Sequence, residues 1–215
     1  MISIIKKDKP AILVLHEEEW TDELMSFVNK GEEIPKGIGG RYRHSEIKET
    51  LLEETGHKCA YCESKITHID FGDIEHIIPK SVFRDKTFQW ENLTIGCTKC
   101  NNNKKHYYNP IMPLLNPYLD NPEQKIIFIG PLPFPIKGDK VADFTIKKLK
   151  LNRPELIERR TEHLQKLGPL VMEYERTEDP ELRSLLLDDL LKTTSYDKEY
   201  ALMTKYALDE LKITG

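Results

Sequence analysis

Apolar residues fall into distinct patterns along the chain. Ile2, Ile4 and Ile5, followed by the run Ala11-Ile12-Leu13-Val14-Leu15 after Pro10, predict short strands or extended packing. A helix is predicted from about 17 to 30, with Trp20, Leu24, Phe27 and Val28 on one face and Gly31 as its stop. The stretch from Ile34 to Gly40, with Pro35 and three glycines, marks a loop. A second helix is expected from Ser45 as N-cap to Gly56, presenting Ile47, Leu51 and Leu52 and delivering the chain to Cys59. Between 109 and 135 seven prolines exclude long regular structure, apart from a short strand at 125–129. Beyond Asp143 the period is helical. Asn152 is the expected cap, Leu156, Leu164, Leu167 and Val171 recur on one face, and Gly168-Pro169 should kink or break the helix. Two more helices are predicted at 180–191 and 196–211.

The organisation that follows is an N-terminal strand and helix segment (1–56), a compact module (57–108), a Pro-rich connection (109–142) and a C-terminal helical region (143–215). A chain of 215 residues buries a core without disulfides. Its start meets Lys6, Lys7, Asp8 and Lys9 at once, and no stretch reaches the length of a membrane span, so the expected compartment is the cytoplasm, with no membrane partner. Charge is uneven under a net −4: from Lys80 to Tyr108 six Lys or Arg face two acids, whereas from Glu155 to Gly215 nine basic residues face fourteen acidic ones. A polyanion would thus meet the middle of the chain, and the acidic end suits other contacts or is simply solvated.

The whole cysteine content is two equal pairs, Cys59-Ala60-Tyr61-Cys62 and, after a gap of 34 residues, Cys97-Thr98-Lys99-Cys100. Each CxxC turn offers two thiolates at the separation a tetrahedral zinc site needs. A redox dithiol or iron-sulfur cluster fits less well without a thioredoxin-like βαβ context. Between and after the pairs run Asp73-Ile74-Glu75-His76-Ile77-Ile78-Pro79-Lys80, Trp90-Glu91-Asn92-Leu93 and Asn101-Asn102-Asn103-Lys104. Phosphodiester hydrolysis needs a nucleophile, charge neutralisation and a stabilised leaving oxygen, and a neutral imidazole at His76 can take the proton from attacking water. Glu75 is the first choice for a carboxylate ligand, Asp73 the fallback. Asn101, fixed at a helix start by the last cysteine, offers an amide oxygen to the same hard cation, Mg²⁺ or Mn²⁺. Lys104, Lys105, Lys80 and, more weakly, Arg84 are the expected phosphate contacts. His57, His68 and Arg41-Tyr42-Arg43-His44 stay open between surface and substrate contact.

His76, Asn92 and Asn101 stand in the order of the HNH endonucleases, and the chain resembles that family. The resemblance implies an α+β architecture: a ββα-metal module with a four-cysteine structural zinc, embedded in mainly helical additions. It gives Asn92 the task of holding the histidine loop. The flanks, Arg41-Tyr42-Arg43-His44, Lys58-Cys59-Ala60-Tyr61-Cys62-Glu63, Pro113-Leu114-Leu115-Asn116-Pro117 and Asp120-Asn121-Pro122-Glu123, with Leu151-Asn152-Arg153, resemble the PtuB-like nucleases of Septu and retron-associated anti-phage systems. That resemblance implies a nuclease acting on DNA, or RNA, with a partner ATPase of the ABC/SMC type, PtuA. The competing expectation is a non-catalytic zinc ribbon that recruits a partner or nucleic acid.

Overall fold

The computed structural model describes residues 1–66 and 72–213. The first ten residues are extended but enter no sheet, and the apolar run at 11–15 opens α1 (Ala11–Lys30) instead of a strand. Burial explains the outcome: Leu13, Trp20 and Leu24 point inward at helical spacing, while Val14 and Leu15 stay exposed. Gly31, at φ 70°, closes the helix with its N–H on Val28 O. A single turn, α2 (Lys36–Gly39), and a 3-10 turn at Arg41–Arg43 lead to α3 (Ser45–Glu54). The cap of α3 is His44 rather than Ser45, its Nδ1 accepting from Glu46 N–H at 3.3 Å.

The central hairpin pairs β1 (Asp73–His76) with β2 (Leu93–Gly96), Asp73 opposite Gly96 and His76 opposite Leu93, and α4 (Thr98–Lys104) follows. The Pro-rich segment holds the expected strand as β3 (Ile126–Ile129), paired with a second that the prolines disguised, β4 (Leu132–Pro135). Pro133 and Pro135 are two apart, so both ring nitrogens face away from β3 and no ladder bond is lost.

After α5 (Lys140–Lys148), α6 runs unbroken from Pro154 to Arg176. The expected break at Gly168-Pro169 does not occur. Leu156 and Arg160 anchor the first half of α6, and Leu170, Val171 and Tyr174 pack its second half on α7 (Pro180–Lys192). Packing at both ends outweighs a proline whose ring lies on the exposed side. Asn152 is not the cap: Arg153 holds that position, and Asn152 donates to Pro133 O at 3.2 Å. The last helix, α8 (Ala201–Glu210), begins later than expected because Tyr200 takes the left-handed conformation.

One core joins residues from all parts of the chain, among them Leu24, Ile47, Trp90, Ile95, Ile126 and Met203. Glu54 ties three segments together beneath β2. It accepts from Lys6 Nζ at 2.9 Å and Tyr118 Oη at 2.6 Å, and Tyr118 also meets Thr94. No described helix is long and apolar enough to cross a membrane.

Candidate active site and metal centre

The four cysteines converge as their spacing predicts. Their sulfurs all lie within 4.8 Å of one another, and Cys62 Sγ is 3.8 Å from Cys97 Sγ. Zn–S bonds of about 2.3 Å in a tetrahedron place sulfurs about 3.8 Å apart, so the donor set fits a single zinc-sized ion. Local backbone sets this up: Ala60 N–H bonds Ile95 O, which pins the first turn to β2, and Cys97 caps α4, its sulfur accepting from Cys100 N–H. Hydrogen bonds from the other three thiols hold Cys62 well below the usual thiol range and favour its thiolate. Arg153, just before α6, brings a guanidinium nitrogen to 3.8 Å from Cys100 Sγ.

Beside this centre, β1 and α4 face each other across a cleft lined by Glu75, His76, Lys80, Arg84, Asn101 and Lys105. His76 ends β1 and is 6% exposed. Its Nε2 lies 2.9 Å from Thr87 O, an acceptor only, so Nε2 carries the proton and Nδ1 keeps its lone pair. Burial lowers its pKa to about 4, helped by the charges of Lys80, Lys104 and Arg43, so the ring is neutral at pH 7. Tyr42 packs edge-on against it with centroids 4.7 Å apart.

Asn92 is spent on backbone. Its Oδ1 accepts from Ile78 N–H at 2.7 Å, and its Nδ2 donates to Ile78 O at 2.9 Å and Lys86 O at 3.0 Å. The loop after His76 is thereby stapled to the residues that precede β2.

The acids meet α4 in register. Asp73 Oδ2 accepts from Asn101 Nδ2 at 3.2 Å, and Glu75 Oε1 lies 2.5 Å from Lys104 Nζ. Lys104 also donates to His76 O at 2.7 Å and is 2% exposed. Burial lifts the Glu75 carboxyl above its ordinary range, and the ammonium of Lys104 opposes that rise. The expectation that Lys104 contacts phosphate is corrected here: its ammonium is buried as the counter-ion of Glu75. Lys105 and Arg84 are exposed at the cleft, and Lys80 is half-buried with its Nζ on Tyr42 Oη at 2.9 Å.

Of the residues left open, His57 is exposed beyond α3 and does not line the cleft, His44 caps α3, and Arg41 pairs with Glu23. His68 lies outside the described residues. Tyr42, also left open, lines the cleft against His76, and Thr87 is the site residue that sequence reasoning did not single out. The Arg-Tyr-Arg cluster before α3 was a signal for Tyr42; Thr87 contributes a carbonyl, which leaves none.

The hairpin, the helix after it and the cysteine centre define an HNH endonuclease domain, and residues 59–107 match that family. Beyond the domain, the chain is similar to Septu protein PtuB of Bacillus thuringiensis, 29% identical over 71% of this chain and 55% of that protein. It is also similar to Septu protein PtuB of Bacillus mycoides (strain KBAB4), 30% identical over 55% of this chain and 51% of the relative. These matches bear out the resemblance to PtuB-like HNH nucleases. The chain spans about half the length of the curated relatives it matches.

Proposed function

We propose that this chain is a metal-dependent endonuclease of anti-phage defence that hydrolyses phosphodiester bonds, DNA before RNA, in the cytoplasm. The observation that carries the reading is the state of His76: neutral, with Nε2–H committed to Thr87 O and Nδ1 left to act at a cleft that also holds Glu75 and Asn101. Water attacks phosphorus as its proton passes to His76 Nδ1; the bond to the leaving oxygen breaks, and that oxygen is protonated from solvent. Asn92 acts by position, keeping the histidine loop in place through three backbone contacts.

Glu75 and Asn101 would hold a Mg²⁺ or Mn²⁺ ion, with Asp73 as the neighbouring carboxylate; a hard cation there supplies charge to the phosphate oxygens. The four cysteines would hold a structural Zn²⁺. Lys80, Arg84 and Lys105 are the cations available to substrate. A PtuA-like ABC/SMC-type ATPase is the proposed partner, and the acidic C-terminal helices suit a docking surface. Residues 57–108 serve as the catalytic unit, the segments 1–56, 109–142 and 143–215 as its supports.

One observation favours the second reading, a zinc ribbon with a lapsed site: Lys104 already occupies the carboxylate of Glu75. The test incubates purified chain, alone and with its candidate ATPase, with plasmid DNA or tRNA and added Mg²⁺ or Mn²⁺. Cleavage that is lost in His76→Ala supports the enzyme. Cleavage that survives in His76→Ala removes the histidine as base, and no cleavage in any arm leaves the ribbon.

A further inference from the structure

A second hollow adjoins the cleft. It is lined by Lys36 at the start of α2, by Arg43 at the end of the 3-10 turn before α3, and by Lys80, Arg84 and Thr87. Lys80 and Arg84 line the cleft as well, so the two hollows are continuous. Thr87 joins them in another way, because its carbonyl accepts the hydrogen bond from His76 Nε2–H. The base and this hollow thus share one peptide group.

Charge distinguishes the hollow from an ordinary solvated surface. Among the described residues no carboxylate lines it, and the only one lining the cleft, Glu75, is paired with Lys104. None of Lys36, Arg43, Lys80 and Arg84 has an ion-pair partner among the described residues, although Arg41 nearby is paired with Glu23. Four like charges around one hollow repel, and an anion is what would offset them. Two of them are also held in place. Lys80 Nζ lies 4.1 Å from the centre of the Tyr42 ring while bonding its hydroxyl, and the Arg43 guanidinium lies 5.0 Å from the same ring. Tyr42 is 5% exposed and packs against His76, so it fixes both cations relative to the base.

We propose that this hollow is a second phosphate-binding subsite, outside residues 59–107, which takes the nucleic-acid backbone flanking the scissile phosphate, with Lys36 and Arg43 as its contacts. The identity of the occupant rests on the nuclease reading; the charge and continuity of the groove do not. Lys36 and Arg43 carry no sequence information by such contacts, but they would set the register in which a strand reaches His76.

The test measures binding without cleavage. In a His76→Ala background, the double variant Lys36→Gln/Arg43→Gln is compared with its parent by fluorescence anisotropy on a labelled DNA duplex over a series of salt concentrations. Loss of two phosphate contacts lowers the slope of log affinity against log salt by about 1.8, at about 0.9 per contact, and weakens binding at low salt by about tenfold or more. Lys36→Arg/Arg43→Lys should keep the parental slope, and Lys166→Gln/Lys205→Gln, remote from the groove, should match the parent. Both groove residues are exposed, so melting temperature should not change and a fold defect would show there. If it does, the charge-keeping pair decides: a parental slope upholds the subsite, and a slope lowered equally by that pair overturns it. An unchanged slope and affinity in the Gln pair also overturn it. Plasmid cleavage by the chain with His76 intact, alone and with its candidate ATPase, is scored separately. Cleavage with an unchanged slope sinks the subsite alone; a lowered slope without any cleavage sinks the nuclease reading and leaves a nucleic-acid-binding groove.

Discussion

Lys104→Met puts the arrangement of the acids to a direct test. In the structure the ammonium bonds Glu75 Oε1 at 2.5 Å and His76 O at 2.7 Å, and both side chains are nearly excluded from water. Methionine fills a similar volume but leaves a buried carboxylate without a counter-ion. Breaking one partner of such a pair costs about 3–5 kcal/mol, and for a chain of this size each kcal/mol moves the melting temperature by about 2–4 °C. Without added cation the variant should therefore melt about 6–20 °C below the parent. If Glu75 is a metal ligand, Mn²⁺ then replaces the missing charge. The variant should bind Mn²⁺ more tightly than the parent in calorimetry and recover much of its melting temperature as Mn²⁺ is added, whereas the parent gains less. Lys104→Met/Glu75→Gln, with no stranded charge, should be more stable than Lys104→Met alone and should lose the Mn²⁺ response. A Lys104→Met protein as stable as the parent in chelator would refute the buried pair. One that is destabilised but indifferent to Mn²⁺ would refute Glu75 as ligand.

Asn92→Ala removes three hydrogen bonds of a buried side chain, about 3 kcal/mol at about 1 kcal/mol each, readable as a lower urea midpoint, and should reduce turnover because the His76 loop loosens. Gly56→Ala should destabilise more than Gly130→Ala: both glycines have positive φ, but a Cβ at Gly56 would lie 2.7 Å from Asp197 Cα while Gly130 has open space, and paired thermal melts separate strain from clash. For His76, the unfolded ring takes a proton near pH 6.5 and the folded ring only near 4, so the unfolded state binds more protons in that window. Stability should fall as pH drops from about 6.5 towards 4, by up to about 3 kcal/mol, and His76→Gln should flatten that part of the pH profile in urea titrations. Freshly purified protein should carry about one equivalent of zinc, and stripping it with a chelator should lower the melting temperature sharply; zinc-free protein with an unchanged melt would refute the four-thiol centre.

Much of the site was legible because its determinants are local. A CxxC turn sets its two sulfurs by backbone geometry alone, and two such turns flanking a hairpin need only the hairpin to close. The supporting role of Asn92 came from the resemblance to the HNH family and not from its position, since an asparagine before a strand is as readily a plain loop residue or cap. The fate of Lys104 was harder to read, since a basic run that includes Lys104 and Lys105 does not say which one turns inward. Asn101 and Lys104, three apart on α4, share one face of the helix, and Asp73 and Glu75, two apart on β1, share one face of the strand, so the two rows can meet pair by pair. At the amino end the run Ala11–Leu15 had no polar residue to reveal its period, and only the burial of Leu13, Trp20 and Leu24 on one face decides for helix. Gly168-Pro169 misled for the opposite reason: its local signal was strong, and tertiary packing of both halves of α6 outweighed it.

The contacts around α4 also bear on how the proposed partner would control the site. Its outer side is held by the region that follows it in sequence: Asn103 Nδ2 donates to Leu149 O at 3.0 Å, at the end of α5, and Arg153 reaches Cys100. Its inner side carries Asn101 and Lys104 against the two acids. A body that docks on the acidic helices and shifts α6 must therefore move Arg153 against the cysteine centre or carry α4 with it. Moving α4 would change the spacing between Lys104 and Glu75, the pair that the proposed metal ion would have to open. The supports outside residues 59–107 thus touch α4 from outside, so a small rigid-body shift of them would act on the proposed ligand set and, through Lys104, which also bonds His76 O, on the end of β1.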